Sequence, residues 1–273
     1  MPISCIPVSL YPDFRSGKLT NAEWIKLGAQ AGLDGVDFSP SFLPEDPKAL
    51  EEMRRQLEDA GLQGVMIVGH QDFTHPDPAK RRQEIEQAIK WVKMAKTLGC
   101  PYIRTTAGQA HPQLSRQQGI DLAVEGMNEV ARVAVDLGVT LAYENHYKSA
   151  FWEYEDFSRP HDIYLAILEG CSAPGVGVNF DTANPVFNNE DPLELLEAVA
   201  PRIVSIHVND LKAAGEFDPV LIGTGVVPLQ AIFHRLKELG FDGWLCIEEF
   251  SRTGPGAVAK ACQWLRKSWQ AGN

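Results

Sequence analysis

Short apolar runs alternate with longer amphipathic stretches along the whole chain, and the alternation occurs eight times. The third amphipathic stretch shows the helical period plainly, because Ile85, Ile89 and Val92 recur at the spacing of one helix face. The apolar runs predict strands over residues 3–9, 34–38, 63–69, 102–106, 139–144, 175–181, 202–208 and 243–249. The amphipathic stretches predict helices over residues 20–31, 46–60, 78–98, 115–137, 160–170, 191–200, 226–239 and 255–270.

Eight strand–helix units in 273 residues average about 34 residues each, which suits a closed (β/α)8 TIM barrel. Glycines such as Gly99 and Gly138 follow predicted helices and closely precede the next strand, as left-handed caps do in α/β units. No linker or low-complexity tract interrupts the pattern, so we predict a single domain over residues 1–273. A doubly wound open sheet is the alternative, but no GxGxxG motif follows the first predicted strand.

The fifth to eighth predicted strands each end at a polar side chain that can bind a metal ion. These residues are Glu144, Asp181, His207 and Glu248. Alternate side chains of a strand point to opposite faces, so each of the four shares its face with the residue two positions earlier. Those residues are small or polar, as suits a barrel interior: Ala142, Asn179, Ser205 and Cys246. The other parity carries bulky side chains such as Tyr143 and Val204, which we expect to pack against the helices. The four polar side chains are therefore predicted to converge at the C-terminal mouth of the barrel, where a divalent ion would bind.

Composition narrows the possible partners. The formal net charge of −11 argues against nucleic-acid binding, since phosphate recognition needs basic clusters. No apolar run reaches the roughly 18 residues of a membrane span, and residues 1–14 lack the features of a signal peptide. The five cysteines are widely spaced and form no CxxC motif, as expected of reduced thiols in a cytoplasmic protein.

Four segments of the second half resemble a known family. LAYENH, NFDTAN, SIHVNDLK and IGTGVVPLQAIFHRLKELGFDGWLCIEEF are similar to the sugar isomerase/epimerase family of xylose-isomerase-like TIM barrels, which includes ketose 3-epimerases and inosose dehydratases. The resemblance implies one divalent metal ion, typically Mn, Mg or Co with Zn as a further candidate. It implies as ligands Glu144, Asp181, His207 and Glu248. It also implies that Glu144 and Glu248 act as acid and base, while the cation stabilises an enediolate of the substrate.

Two positions depart from the ketose 3-epimerase pattern. Those enzymes have a substrate-contacting histidine where this chain has Asn184, and an arginine where it has Ala213. These changes leave the metal ligands intact but remove the basis for assigning a ketohexose substrate. The predicted substrate contacts are His70, Arg104, His146, Asn184 and Lys212. Arg104 is equally suited to hold a polar group of the substrate or to pair with an acidic neighbour, and the two histidines are also suited to structural roles.

Two loops after the later strands also have predicted roles. The segment IGTGVV (residues 222–227) lacks the lysine of a phosphate loop, so we interpret it as the turn into the seventh predicted helix. Asp210 is placed to support His207 or Lys212. The long loop after the fifth strand is aromatic, with Phe151 among its side chains, and is either a lid that excludes water or a subunit contact.

The sequence therefore predicts a metal-dependent isomerase or epimerase of a small ketose or related hydroxy-ketone. A dehydratase of an inosose or keto-sugar is the main alternative, because the same enediolate can expel a β-hydroxyl group. An endonuclease-IV-like hydrolase is disfavoured by the negative charge, and a non-catalytic sugar-binding barrel is a further alternative. The expected partner is a small carbohydrate, with no nucleic acid and no membrane, and with self-association into a homo-oligomer left open.

Overall fold

Eight parallel strands form one sheet in the computed structural model, which describes residues 1–171 and 174–271. The strands are Ile3–Ile6 (β1), Gly35–Phe38 (β2), Gln63–Val68 (β3), Tyr102–Thr105 (β4), Thr140–Glu144 (β5), Val176–Asp181 (β6), Ile203–Val208 (β7) and Trp244–Glu248 (β8). Each pairs in parallel with its neighbour in the order β1-β8-β7-β6-β5-β4-β3-β2. The predicted (β/α)8 TIM barrel is confirmed. Residues 172, 173, 272 and 273 of the predicted domain lie outside the described residues.

Helices follow the strands and surround the barrel. They are Tyr11–Arg15 (α1), Asn21–Gln30 (α2), Pro47–Asp59 (α3), Pro78–Leu98 (α4), Arg116–Asp136 (α5), His161–Gly170 (α6), Asn184–Phe187 (α7), Pro192–Val199 (α8), Leu229–Glu238 (α9) and Gly256–Ala271 (α10). Short 3-10 turns lie at Val8–Leu10, Pro40–Phe42 and Ala200–Arg202. The eight predicted helices are present, and the additional α1 and α7 are too short to show a period in the sequence.

An Asp-Pro pair starts three of the helices. Asp46, Asp77 and Asp191 each accept a hydrogen bond from a backbone N–H of the first turn, and the following proline occupies the first helical position. Proline has no N–H to leave unpaired there, and the aspartate satisfies a donor that the helix itself cannot. At the other end of α4, Gly99 adopts a left-handed conformation with φ of 81°, as predicted for a helix cap.

The barrel is completed between its first two strands. The backbone N–H of Asp34 donates to the carbonyl oxygen of Ile3 at 2.9 Å. Further along, the Ser4 hydroxyl donates to the buried carboxylate of Asp37 at 2.8 Å. These bonds join β1 to β2, so the C-terminal ends of all eight strands surround one mouth.

The bulky side chains of one strand parity pack against the helices as predicted, with one exception. Helix-facing residues of the large core include Leu141, Tyr143, Val178, Phe180, Ile206, Leu245 and Ile247. Val204 is different, because Val178 pairs with Ile203 and the next residue, Asn179, already pairs with Ser205. The skipped Val204 packs against the cluster inside the barrel instead of the helices. The prediction for Val204 was wrong because a bulge of this kind reverses the alternation locally.

None of the helices in the described ranges combines the length and the apolar character needed to cross a membrane.

Candidate active site

The polar residues at the ends of β5 to β8 lie at the C-terminal mouth of the barrel. Glu144, Asp181 and Glu248 are the last residues of β5, β6 and β8, and His207 is the last but one of β7. Asp181 and His207 are register partners on neighbouring strands. Glu144 is 1% exposed, and Asp181 and His207 are fully buried. The sheet therefore brings together side chains that are up to 104 positions apart in the sequence.

Three of the four predicted metal ligands form a compact group. Ligand atoms of Glu144, Asp181 and His207 all lie within 4.8 Å of one another. The His207 Nδ1 atom lies 3.0 Å from Glu144 Oε1, while its buried Nε2 atom has no hydrogen-bond partner among the described residues. Two carboxylates and an imidazole nitrogen without a partner are a suitable donor set for a divalent cation such as manganese, so these residues fit the implied metal ion.

Glu248 joins this group through an amide side chain. The Asn209 Nδ2 group donates to Asp181 Oδ2 at 2.9 Å and to Glu248 Oε2 at 2.8 Å. Glu248 is not within the 4.8 Å group of three. Asn209 thus separates two carboxylates and fixes the orientation of both.

The pKa values of two carboxyl groups in the buried cluster are shifted in opposite directions. Burial by itself would raise the pKa of Glu144, but Arg104 and His207 outweigh it and hold that pKa well below its ordinary value. Burial and the nearby carboxylates of Glu248 and Glu144 instead raise the pKa of Asp181 well above its ordinary value. A divalent cation would relieve the repulsion that Asp181 experiences, which is a second reason why these residues fit a metal ion.

Arg104 forms a buried ion pair, one of the two roles left open by the sequence. Its Nη1 atom lies 2.5 Å from Glu144 Oε2, and its Nε–H donates to the carbonyl oxygen of Gly69 at 2.8 Å. The guanidinium also borders the cavity above the cluster. Next to it lies His70, whose pKa is lowered to about 4 by burial and by the neighbouring Arg104 and His146. His70 is therefore a neutral imidazole at neutral pH.

His146 and Asn184 line the same cavity and also make structural contacts. The His146 Nδ1 atom lies 3.3 Å from the buried carboxylate of Asp156. The Asn184 backbone N–H donates to Asp181 Oδ1 at 2.7 Å, and its side chain donates to the carbonyl oxygen of Asn145. Asn184 therefore holds the aspartate of the cluster while presenting its side chain beside the cavity.

Lys212 is not brought to the cavity. Its side chain is 71% exposed and its Nζ atom lies 3.5 Å from Asp218. Asp210, expected to support His207 or Lys212, instead accepts hydrogen bonds from the backbone N–H groups of Leu211, Gly223, Gly225 and Val227. The loop of residues 222–227 folds around this carboxylate just before α9, in agreement with a turn into that helix.

A cavity of about 650 Å³ opens above the cluster. This volume lies within the range of small-molecule sites in proteins. Of the predicted site residues, the cavity is lined by His70, Arg104, Glu144, His146, Asn184 and Glu248. Five aromatic residues contribute to its walls: Tyr11, Tyr147, Phe151, Phe217 and Phe250. A polar floor with aromatic walls is a common arrangement for binding a small polar molecule whose ring or chain has apolar faces.

The aromatic loop after β5 covers part of this cavity. Phe151 is 68% exposed, and its ring stacks on His70 with centroids 5.6 Å apart. The loop is held by Gln109, whose Oε1 atom accepts hydrogen bonds from the backbone N–H groups of Glu153 and Tyr154. This geometry agrees with the lid hypothesis, because the loop borders the cavity directly.

Three amide side chains with positioning contacts were not identified from the sequence. Asn145 exchanges two hydrogen bonds with the backbone of Asp181, Asn209 bridges two carboxylates, and Gln109 holds the loop. Asn145 and Asn209 lie one and two residues beyond predicted ligands, which is the only sequence signal for them. Gln109 has no such signal, because its partners are 44 and 45 positions away.

Residues 25–268 match the family model described as the xylose isomerase-like TIM barrel. The chain belongs to this family. The resemblance noted in the sequence is confirmed by a match over most of the chain.

Proteins similar to this xylose isomerase-like barrel include an epimerase, an epimerase-like protein and a probable dehydratase. L-ribulose-5-phosphate 3-epimerase UlaE of Shigella flexneri is 26% identical over 278 residues, covering 96% of this chain and 94% of the relative. A solved D-tagatose 3-epimerase-like protein matches with a TM-score of 0.82 at 16% identity, covering 100% and 98% of the two chains. The probable 3-DHS dehydratase AsbF of Bacillus anthracis matches with a TM-score of 0.80 at 16% identity, covering 97% and 99%. The two structural matches show a shared fold.

Proposed function

We propose that this protein is a divalent-metal-dependent epimerase that acts on a small ketose. The observation that carries the proposal is the placement of Glu144 and Glu248, which line one cavity from the ends of different strands. Epimerisation next to a carbonyl needs one group to remove a proton and another to return it from the opposite side. Two carboxylates facing one cavity meet that requirement. The name of the Shigella relative supports the same reaction class.

The metal ion would be held by Glu144, Asp181, His207 and Glu248. When bound, a divalent ion polarises the ketose carbonyl and offsets the negative charge that develops on its oxygen. We place manganese first among the candidates, because two or three carboxylates with one imidazole suit it well.

The side chains around the ligands have distinct roles in this proposal. Glu144 is kept ionised by Arg104, which suits a proton acceptor. Asn209 holds Glu248 by its Oε2 atom, so the other carboxylate oxygen is the one presented for proton exchange. Arg104 and the neutral His70 line the cavity and would bind substrate oxygen atoms. His146 and Asn184 would contribute further contacts, whereas Lys212 has no cavity contact to support such a role.

The proposal also covers the domain organisation, the cellular compartment and the oligomeric state of the protein. We infer that residues 1–273 act as one domain. All five cysteines are buried and unpaired, which supports a reducing compartment such as the cytoplasm. Self-association into a homo-oligomer is a further part of the proposal.

Deuterium exchange tests the function directly. The purified protein is loaded with manganese and incubated in D2O with a panel of ketoses, inososes and keto-acids. Deuterium incorporation next to the carbonyl, with a stereoisomer as product, is the expected result. Incorporation followed by loss of water would support a dehydratase instead. A protein that binds no divalent ion and exchanges no deuterium would contradict the proposal.

Two variants test the acid and base assignments. Glu248→Gln and Glu144→Gln are each expected to reduce exchange by at least about a hundredfold, since each removes a proton-transfer group. Glu51→Gln is the control, because this exposed residue of α3 makes the same chemical change outside the cavity. Retention of full exchange by Glu248→Gln would overturn its assignment.

A further inference from the structure

We propose that the substrate carries a phosphate ester, which is bound at the mouth of the cavity by Arg15, Arg252 and Ser9. This inference rests on the proposed epimerase function and adds a substrate class to it. All three residues line the same cavity as Glu144 and Glu248. The cavity thus has a floor built for proton transfer and a mouth with positive charge.

The cations at the mouth come from loops that follow neighbouring strands. Arg15 ends α1, which follows β1, and Arg252 lies just after β8. β1 and β8 pair directly, and the backbone N–H of Ser9 donates to the carbonyl oxygen of Glu249 at 2.9 Å. In TIM barrels a phosphate group is often bound by loops after the last strands, so this is a suitable place for one.

The two arginines have no acidic partner in the part of the chain that the structure describes. The chain as a whole has 36 acidic and 25 basic residues. Elsewhere most arginines pair with carboxylates, and these include Arg54, Arg55, Arg82, Arg116, Arg159, Arg235 and Arg266. Arg15 and Arg252 therefore keep positive charge available at the mouth of a cavity whose floor is acidic.

Aromatic contacts position both guanidinium groups. The Cζ atom of Arg15 lies 5.9 Å from the ring centroid of Phe151, and that of Arg252 lies 5.7 Å from the ring centroid of Phe250. A guanidinium above an aromatic ring keeps its N–H groups free at the edge, where they can bind two oxygens of one phosphate. Both rings line the cavity. The arginines are thus restrained, and no described residue accepts a hydrogen bond from either guanidinium group.

Ser9 completes the group and links it to Arg252. The backbone N–H of Arg252 donates to the Ser9 Oγ atom at 2.8 Å, although the two residues are 243 positions apart. The hydroxyl proton of Ser9 has no acceptor among the described residues, so it remains available to an anion. Arg252 also has a φ of 58°, a conformation that costs a non-glycine residue free energy and that is concentrated at functional sites.

The test compares a ketopentose 5-phosphate with the same ketopentose lacking phosphate. The wild-type protein should exchange deuterium into the ester with kcat/KM at least about tenfold higher than into the free sugar. Arg15→Gln and Arg252→Gln should each reduce this preference about tenfold, because each removes a charged hydrogen-bond donor. The control is Arg55→Gln, which removes the same charge from an exposed pair with Glu52 outside the cavity and should keep the wild-type preference.

Binding of inorganic phosphate supplies a readout that needs no catalysis. Calorimetry should detect phosphate binding to the manganese-loaded wild-type protein and weaker binding to Arg15→Gln and Arg252→Gln. Equal kcat/KM for ester and free sugar, or an unchanged preference in both variants, would overturn the phosphate inference while leaving epimerisation intact. A ketose that ends in a carboxylate and matches the ester would overturn the choice of phosphate. If no ketose exchanges deuterium, the proposed function fails, and phosphate binding that is equal in wild type and variants then overturns this inference separately.

Discussion

Arg104 and Glu144 form a buried ion pair under the cavity, with 2.5 Å between Nη1 and Oε2. The pair is possible because β4 and β5 are neighbours in a register that aligns Arg104 with Ala142, two residues before Glu144. Side chains two apart share a face, so the guanidinium and the carboxylate both point into the barrel. The same guanidinium lines the cavity, so this pair connects the stability of the barrel with its proposed chemistry.

Replacing Arg104 should destabilise the protein strongly. Arg104→Met leaves the Glu144 carboxylate buried without its guanidinium, and breaking a buried pair in this way costs about 3–5 kcal/mol. The free energy of unfolding from urea titration at pH 7 measures the loss. Arg55→Met breaks an exposed pair with Glu52 and should cost less than about 1 kcal/mol. Equal losses in the two variants would show that the buried pair has no special stabilising role.

Removing the Asn209 amide should weaken metal binding without unfolding the barrel. Asn209→Ala takes away the donor between Asp181 and Glu248, so the two carboxylates are no longer held in one orientation. A loss of this kind reduces metal affinity by about 10-fold to 100-fold. Calorimetric titration with manganese measures the change, and Asn188→Ala, at a residue outside the cavity lining, is the control. Unchanged affinity in Asn209→Ala would rule out the positioning role.

Asp37 should make stability depend on pH. Burial raises the pKa of this carboxyl to about 7, and the hydrogen bond from Ser4 offsets only part of that effect. The folded state therefore holds a proton that the unfolded state releases at lower pH, so stability decreases as pH rises from about 4 to about 7. By this linkage the total decrease from Asp37 is about 4 kcal/mol.

Asp37→Asn removes this titration and should be less sensitive to pH than the wild type. The measurement is the difference in unfolding free energy between pH 5 and pH 8 for each protein, so any constant effect of the amide on packing cancels. The variant is expected to lose less stability over that interval. The same loss in both proteins would mean that Asp37 titrates alike in the folded and unfolded states.

Gly225 should tolerate no side chain. A Cβ atom there would lie 2.2 Å from the carbonyl oxygen of Leu211 and 2.3 Å from Asp210 Oδ1, in the loop that Asp210 closes. Gly225→Ala is therefore expected to cost about 1–3 kcal/mol, as overpacking does elsewhere. Thermal unfolding measures the effect. Gly256→Ala is the matched control, because a Cβ atom there meets nothing within 4 Å, and a similar loss in both variants would contradict the steric explanation.

Much of the fold could be predicted because its signals are local. Strand alternation and helical period depend on near neighbours, so the ranges of all eight strands follow from the sequence to within a few residues. The same alternation placed Glu144, Asp181 and His207 on one face, and the structure brings them within 4.8 Å of one another. The orientation of Val204 was mispredicted because it depends on a bulge. A bulge depends on how two strands pair, which the sequence of one strand does not show.

The sequence by itself determined the barrel, the order of its polar strand ends and the acidic side chains that end β5, β6 and β8. Only the tertiary structure decided which side chains act together. It placed Asn209 between two carboxylates, joined Arg252 to Ser9 across 243 positions, and left Lys212 outside the cavity. The physical reason is that these contacts arise where loops from different strands meet, and loop conformation depends on packing against distant segments rather than on local period.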